Sequence, residues 1–212
     1  MGRRTEVTST RSRKLCLAQQ PDADEMLSRD PFALLVGMLL DQQIPMERAF
    51  AGPVAIAQRM DGPFDPATVA HYDPDAFVEV VAGPPAVHRF PTAMAARIQT
   101  LAKHLDEQYG GNASALWSDV KSGDDLLARL SALPGFGAQK AKIFVALLGK
   151  QLKVRPRGWR EASEPYGEDG AFKSVADVID VASLVRVRQF KQEQQVVRQR
   201  VVARPLRQTR NG

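Results

Sequence analysis

Between the apolar run Asp124 to Leu133 and the run Ile143 to Leu148 lies Leu133-Pro134-Gly135-Phe136-Gly137, and no other stretch limits the fold as sharply. Proline and glycine forbid continued helix there, so the unit reads helix, tight hairpin, helix, spanning 124–149. Gly135 and Gly137 admit positive φ and leave their N–H groups without a covering side chain at the start of the second helix. A helix start with bare amides attracts anions, and Lys140 and Lys142 add positive charge beside it. A phosphate partner is therefore expected at the bend. An ordinary αα-hairpin that only packs is the competing reading.

The rest of the chain also reads as helices. Asp30 before Pro31 is a cap followed by proline at the first helical position, opening the nearly all-apolar stretch Phe32 to Leu40. That helix belongs at the centre of the fold. Gln42-Gln43-Ile44-Pro45 ends it, and Pro53 predicts a break or kink before Val54 to Met60. Two short helices should meet near Asp73-Pro74 and stop at Gly83-Pro84-Pro85. From Pro91, Met94, Ile98, Leu101, Leu105 and Tyr109 recur at helical spacing until Gly110-Gly111.

In the second hairpin helix Ile143, Phe144, Leu147 and Leu148 form the buried stripe, with Lys140 near its centre and Lys142 opposite. Residues 154–173 lack periodicity, but Trp159, Tyr166 and Phe172 argue that this loop is ordered. Ser174 with Asp177 predicts the cap of a last helix running through Val178 and Ile179 to about Arg198.

A chain of 212 residues with 44% apolar and 25% charged content can bury a substantial core. Its net charge of +5 hides an uneven distribution. Residues 1–14 and 186–212 are strongly basic, whereas residues 15–185 carry more carboxylates than cations. Within that acidic middle, Ala138 to Arg160 holds Lys140, Lys142, Lys150, Lys153, Arg155, Arg157 and Arg160 with no carboxylate. Such a face suits nucleic acid. Residues 1–14 are expected to be a disordered arm, 15–199 a helical domain and 200–212 a basic tail.

Cys16 is the only cysteine, which excludes an intrachain disulfide, a four-thiolate zinc site and an iron–sulfur cluster. No apolar run reaches membrane-spanning length. A cytoplasmic monomer without cofactor or metal is expected.

Leu-Pro-Gly-x-Gly with Ala141 four residues after the second glycine resembles the helix-hairpin-helix of the base-excision DNA glycosylase superfamily. Leu39-Leu40-Asp41-Gln42-Gln43-Ile44 is similar to that superfamily's glutamine-bearing turn, which probes the gap left by an extruded base. The resemblance covers roughly residues 20–198. It implies an all-α fold of about ten helices in two interleaved lobes with a cleft between them. It further implies duplex DNA as partner, base-excision repair as the process and hydrolysis of an N-glycosidic bond as the reaction. Gln42, Gln43, Gly135, Gly137, Gln139, Lys140, Lys142, Arg155 and Arg157 would meet the DNA, and Trp159 and Tyr166 would line the base pocket.

Two departures from the superfamily pattern matter. Where an aspartate should follow the second hairpin helix, this chain reads Val154-Arg155-Pro156-Arg157-Gly158-Trp159, and an arginine cannot stabilise a developing cation. Gln139 stands where the lyase-competent members carry a nucleophilic lysine. Three readings remain open: a monofunctional glycosylase drawing its carboxylate from Glu161 or Asp41, a DNA-binding protein without hydrolysis, and a hairpin that binds protein.

Overall fold

The computed structural model describes residues 14–202, with side chains described as far as residue 196. The arm expected over 1–14, save Lys14, and the tail expected over 200–212, save the backbone of its first residues, lie outside the described residues.

Every regular element among the described residues is helical, in agreement with an all-α chain. Prolines open α1 (Pro21–Arg29), α2 (Pro31–Leu40), α4 (Pro66–His71), α5 (Pro74–Ala82) and α6 (Pro91–Tyr109), where a missing N–H costs nothing. Asp30, Asp65 and Asp73 accept amide hydrogen bonds at the starts of α2, α4 and α5. Gly110 closes α6 in the left-handed conformation with φ 57°.

The expected central helix is α2, where every residue from Phe32 to Leu40 is buried. It packs on α1, α6 and the following helix α3 (Met46–Arg59). Gly37 and Gly52 permit the close approach, since a Cβ at Gly37 would lie 2.7 Å from the Phe50 ring and one at Gly52 would lie 2.5 Å from Leu40. Of the break or kink expected at Pro53, the break does not occur, and α3 runs through it. Burial of Phe50, Pro53 and Ile56 on the same helix outweighs the one hydrogen bond that proline removes.

The second half builds on α8 (Gly123–Ser131) and α9 (Ala138–Gln151), preceded by the short α7 (Ala115–Ser118) and followed by α10 (Trp159–Ala162). A second correction concerns Ser174 and Asp177. Their capping box closes only a 3-10 turn, Val175–Asp177, because Val178 is extended. The last helix, α11 (Val181–Val202), starts afresh where Asp180 accepts the Ser183 amide at 2.7 Å. Asp177 is instead a buried partner of Lys150 at 2.6 Å.

One apolar core runs without interruption from Leu15 to Val187 and includes residues of both halves. Its edge, where the end of α2 meets the start of α9, is where the two glutamine- and glycine-bearing segments come together. No helix among the described residues is long and apolar enough to cross a membrane.

Candidate nucleic-acid interface

Local chemistry fixes the hairpin first. The Ser122 hydroxyl accepts the Asp125 amide at 3.1 Å and starts α8. Leu133 and Phe136 then turn inward, with the Phe136 amide donating to the Leu133 carbonyl at 3.0 Å and its ring edge-on to Phe144. Gly135 has φ 80°, and a Cβ there would lie 2.4 Å from Leu39, so the bend requires glycine twice over. Gly137 differs from expectation, because its φ of −73° is available to any residue.

What distinguishes Gly137 is open space, with nothing within 4 Å of a Cβ added there. No side chain caps α9, and the amides of Gly137, Ala138 and Gln139 have no hydrogen-bond partner among the described residues. Gly137 borders a surface depression of about 490 Å³ whose other walls are Pro134, Gly135 and Phe136 with Arg97 and Thr100 of α6. Unpartnered donors at the positive end of a helix, with a guanidinium alongside, attract an anion.

The glutamine turn is locked against this hairpin. Lys140, on the buried side as its spacing predicts, sends its ammonium to the C-terminal carbonyls of α2, donating to Met38 at 2.5 Å and Leu39 at 3.1 Å. Burial pulls its pKa down to about 8; Asp41 opposes the change, and Arg97 and Lys191 add to it. Lys140 is therefore a clamp between α9 and α2. Lys142, two residues on and so on the opposite face of α9, is half-buried and makes no ion pair among the described residues.

Gln42 is equally committed. Its amide nitrogen donates to the Leu39 carbonyl at 2.6 Å, and its side-chain oxygen accepts from Arg97 at 3.2 Å. Gln43 is the free member of the pair: exposed, with φ 57° at the tip of the turn and no side-chain hydrogen bond among the described residues. Asp41 faces Lys191 of α11 at 3.6 Å, and Glu47 pairs with Arg188 one turn earlier on the same helix.

The opposite end of α9, about 21 Å away at 1.5 Å per residue, corrects several expectations. Trp159 does not wall an open pocket. It is buried with its ring against the backbone of Gly149, where a Cβ would lie 2.3 Å from it, and Arg160 covers it at 4.6 Å. Arg155 donates to the Gly149 carbonyl at 2.8 Å, while the Arg157 carbonyl accepts the Gly123 amide at 2.8 Å. Arg155 thus braces the loop beside Trp159 with its side chain and Arg157 with its backbone, both at the end of α9 away from the Gly135–Gly137 bend. Glu161 sits exposed on α10, its carboxylate without a hydrogen bond among the described residues.

Tyr166 returns to the hairpin end. Its hydroxyl accepts from the Gln139 amide at 2.9 Å, at the rim of a hollow of about 380 Å³ whose other walls include Ile143, Phe190, Lys191 and Gln194. Of the two candidate acids, Asp41 is the one linked to this hollow, through Lys191. Arg97, Phe190 and Lys191 carry no local sequence signal for this site, since each reaches it through a contact distant in the chain. No protein-family model, curated protein or solved structure matches this chain.

Proposed function

We propose that this chain binds duplex DNA and acts in base excision, as a glycosylase-like protein of two interleaved lobes whose seam holds the hairpin and the glutamine turn. The observation that carries this reading is the bare N-terminus of α9 at Gly137 beside the exposed amide of Gln43. Backbone donors would grip a phosphate, Lys142 and Arg97 would neutralise it, and Gln43 would enter the stack where a base has left.

An extruded base would enter the hollow between Gln139, Tyr166 and Phe190, where amide and hydroxyl groups can read its edge and an aromatic ring can stack on it. A carboxylate is needed to stabilise the sugar cation as the glycosidic bond breaks. Asp41 is the better candidate, because Lys191 ties it to that hollow, whereas Glu161 is not among the residues lining it.

Recognition of distorted DNA without hydrolysis is the second reading. It is favoured by the pairing of Asp41 with Lys191, which engages that candidate acid.

A panel of lesion-bearing duplexes incubated with excess protein and then treated with alkali separates the two. Base release abolished by Asp41→Asn and retained by Glu161→Gln identifies the enzyme. Tight, salt-sensitive binding with no release from any lesion identifies the binder. Absence of duplex affinity at low salt overturns both and leaves the hairpin to a protein partner.

A further inference from the structure

His88 lies in the loop before α6, and its imidazole is buried at 1% exposure. A buried imidazole needs partners for both nitrogens, and each is supplied by backbone. The Phe90 amide donates to Nδ1 at 3.1 Å, which makes Nδ1 an acceptor and leaves the proton on Nε2. Nε2 then donates to the carbonyl of Gln42 at 2.8 Å, across 46 residues of chain. That carbonyl belongs to the peptide joining Gln42 to Gln43, so the imidazole holds the peptide plane from which the strained residue departs.

The other contacts on this turn act elsewhere. Lys140 holds the carbonyls of Met38 and Leu39, Arg97 holds the Gln42 side chain, and Lys191 and Arg188 hold the flanking carboxylates. His88 alone among them grips the Gln42–Gln43 peptide. A left-handed glutamine is uncommon and persists only where its surroundings fix it.

We propose that His88 is a positioning residue for Gln43, setting the direction in which that amide is offered to a duplex with a vacated base position. The inference rests on the DNA reading above and adds to it a buried residue that never touches the nucleic acid.

The test compares equilibrium binding of an intact duplex with that of the same duplex carrying one abasic site. It is run on the full chain and on Gln43→Ala, His88→Leu, His88→Gln and the Gln43→Ala/His88→Leu double variant, with thermal melting of each. The native chain should prefer the abasic duplex by about tenfold, the discrimination expected for one position in a site. Gln43→Ala and His88→Leu should each lose most of that preference while intact-duplex binding holds. Glutamine at 88 carries a donor near the Nε2 position and should restore it. The double variant should be no worse than Gln43→Ala, because a residue acting through Gln43 has nothing left to position.

A folded His88→Leu chain with full preference overturns the proposal, as does a further loss in the double variant. Should His88→Leu not fold, His88→Asn, which can accept from Phe90 but is too short to reach Gln42, must lose the preference that His88→Gln keeps; the opposite result overturns the proposal. Native protein that binds intact duplex without any abasic preference overturns both the Gln43 role and this inference while the hairpin reading stands. Native protein that binds neither duplex removes the DNA reading itself.

Discussion

The two ends of α9 carry similar residues and use them in opposite ways. At the C-terminal end, Arg155 caps a carbonyl, Arg160 covers Trp159 and Lys150 is buried on Asp177, so cations are consumed in holding a loop. At the N-terminal end the side chains are also partly spent, Lys140 on α2 and Gln42 on Arg97, but the backbone is left open. A run of seven cations without a carboxylate looks uniform in the sequence. Folding divides it into a braced end and a receptive end, and the receptive end is defined more by unpaired amides than by charge.

The largest effect should come from the braced end. Trp159→Ala removes a buried ring that fills the space left by Gly149, and it should cost about 3–5 kcal/mol of stability in chemical denaturation. At temperatures where the variant is still folded, duplex affinity should match the native chain. A folded variant with weakened binding would mean that the two ends are not separate, and Trp159 would return to the DNA-facing surface.

Next in size is a substitution that divides stability from binding at the receptive end. Gly137→Asp fits the backbone without strain, meets open space and supplies the side-chain cap that α9 lacks. Melting should be unchanged or slightly raised, since an aspartate cap improves on glycine by only a few tenths of a kcal/mol. Duplex affinity should fall at least about tenfold, because a carboxylate now occupies the amides a phosphate would use. Gly137→Asp that binds DNA as well as the native chain would remove the hairpin from the interface.

Much of this division was legible in the sequence, and the reasons are physical. Proline and aspartate at helix starts act locally, so Asp30-Pro31 and Asp73-Pro74 mark real boundaries, and the Leu-Pro-Gly-Phe-Gly bend lies where its residues dictate. Pro53 does not break its helix because burial of its neighbours, a tertiary effect, overrides a local preference. Trp159 misled because an aromatic in a loop suits either a core or a pocket. The available signal was Gly149, a glycine inside a helix that marks close approach of another group. Arg97 and His88 reach the glutamine turn across 55 and 46 residues, and Lys140 reaches α2 across 102, distances over which no periodicity speaks.

The smallest effect probes the clamp that joins the receptive end to α2. Burial draws the Lys140 pKa down from 10.5 in the unfolded chain toward about 8 in the folded one, while its hydrogen bonds to the Met38 and Leu39 carbonyls favour the ammonium and oppose the change. Between those values the unfolded state binds more protons, so this group makes stability rise with pH across the window and leaves it level below pH 8. The rise should stay under about 1 kcal/mol, a fraction of what the full gap would give, because the two carbonyl partners favour the charged form and offset much of the burial. Denaturant midpoints for the native chain and Lys140→Met at pH 7.5 and 10 measure it as the difference between the two pH responses. An equal response in both would show that the ammonium is as well solvated in the fold as in water. In that case the depressed pKa would go, and with it the account of Lys140 as a buried clamp on Met38 and Leu39.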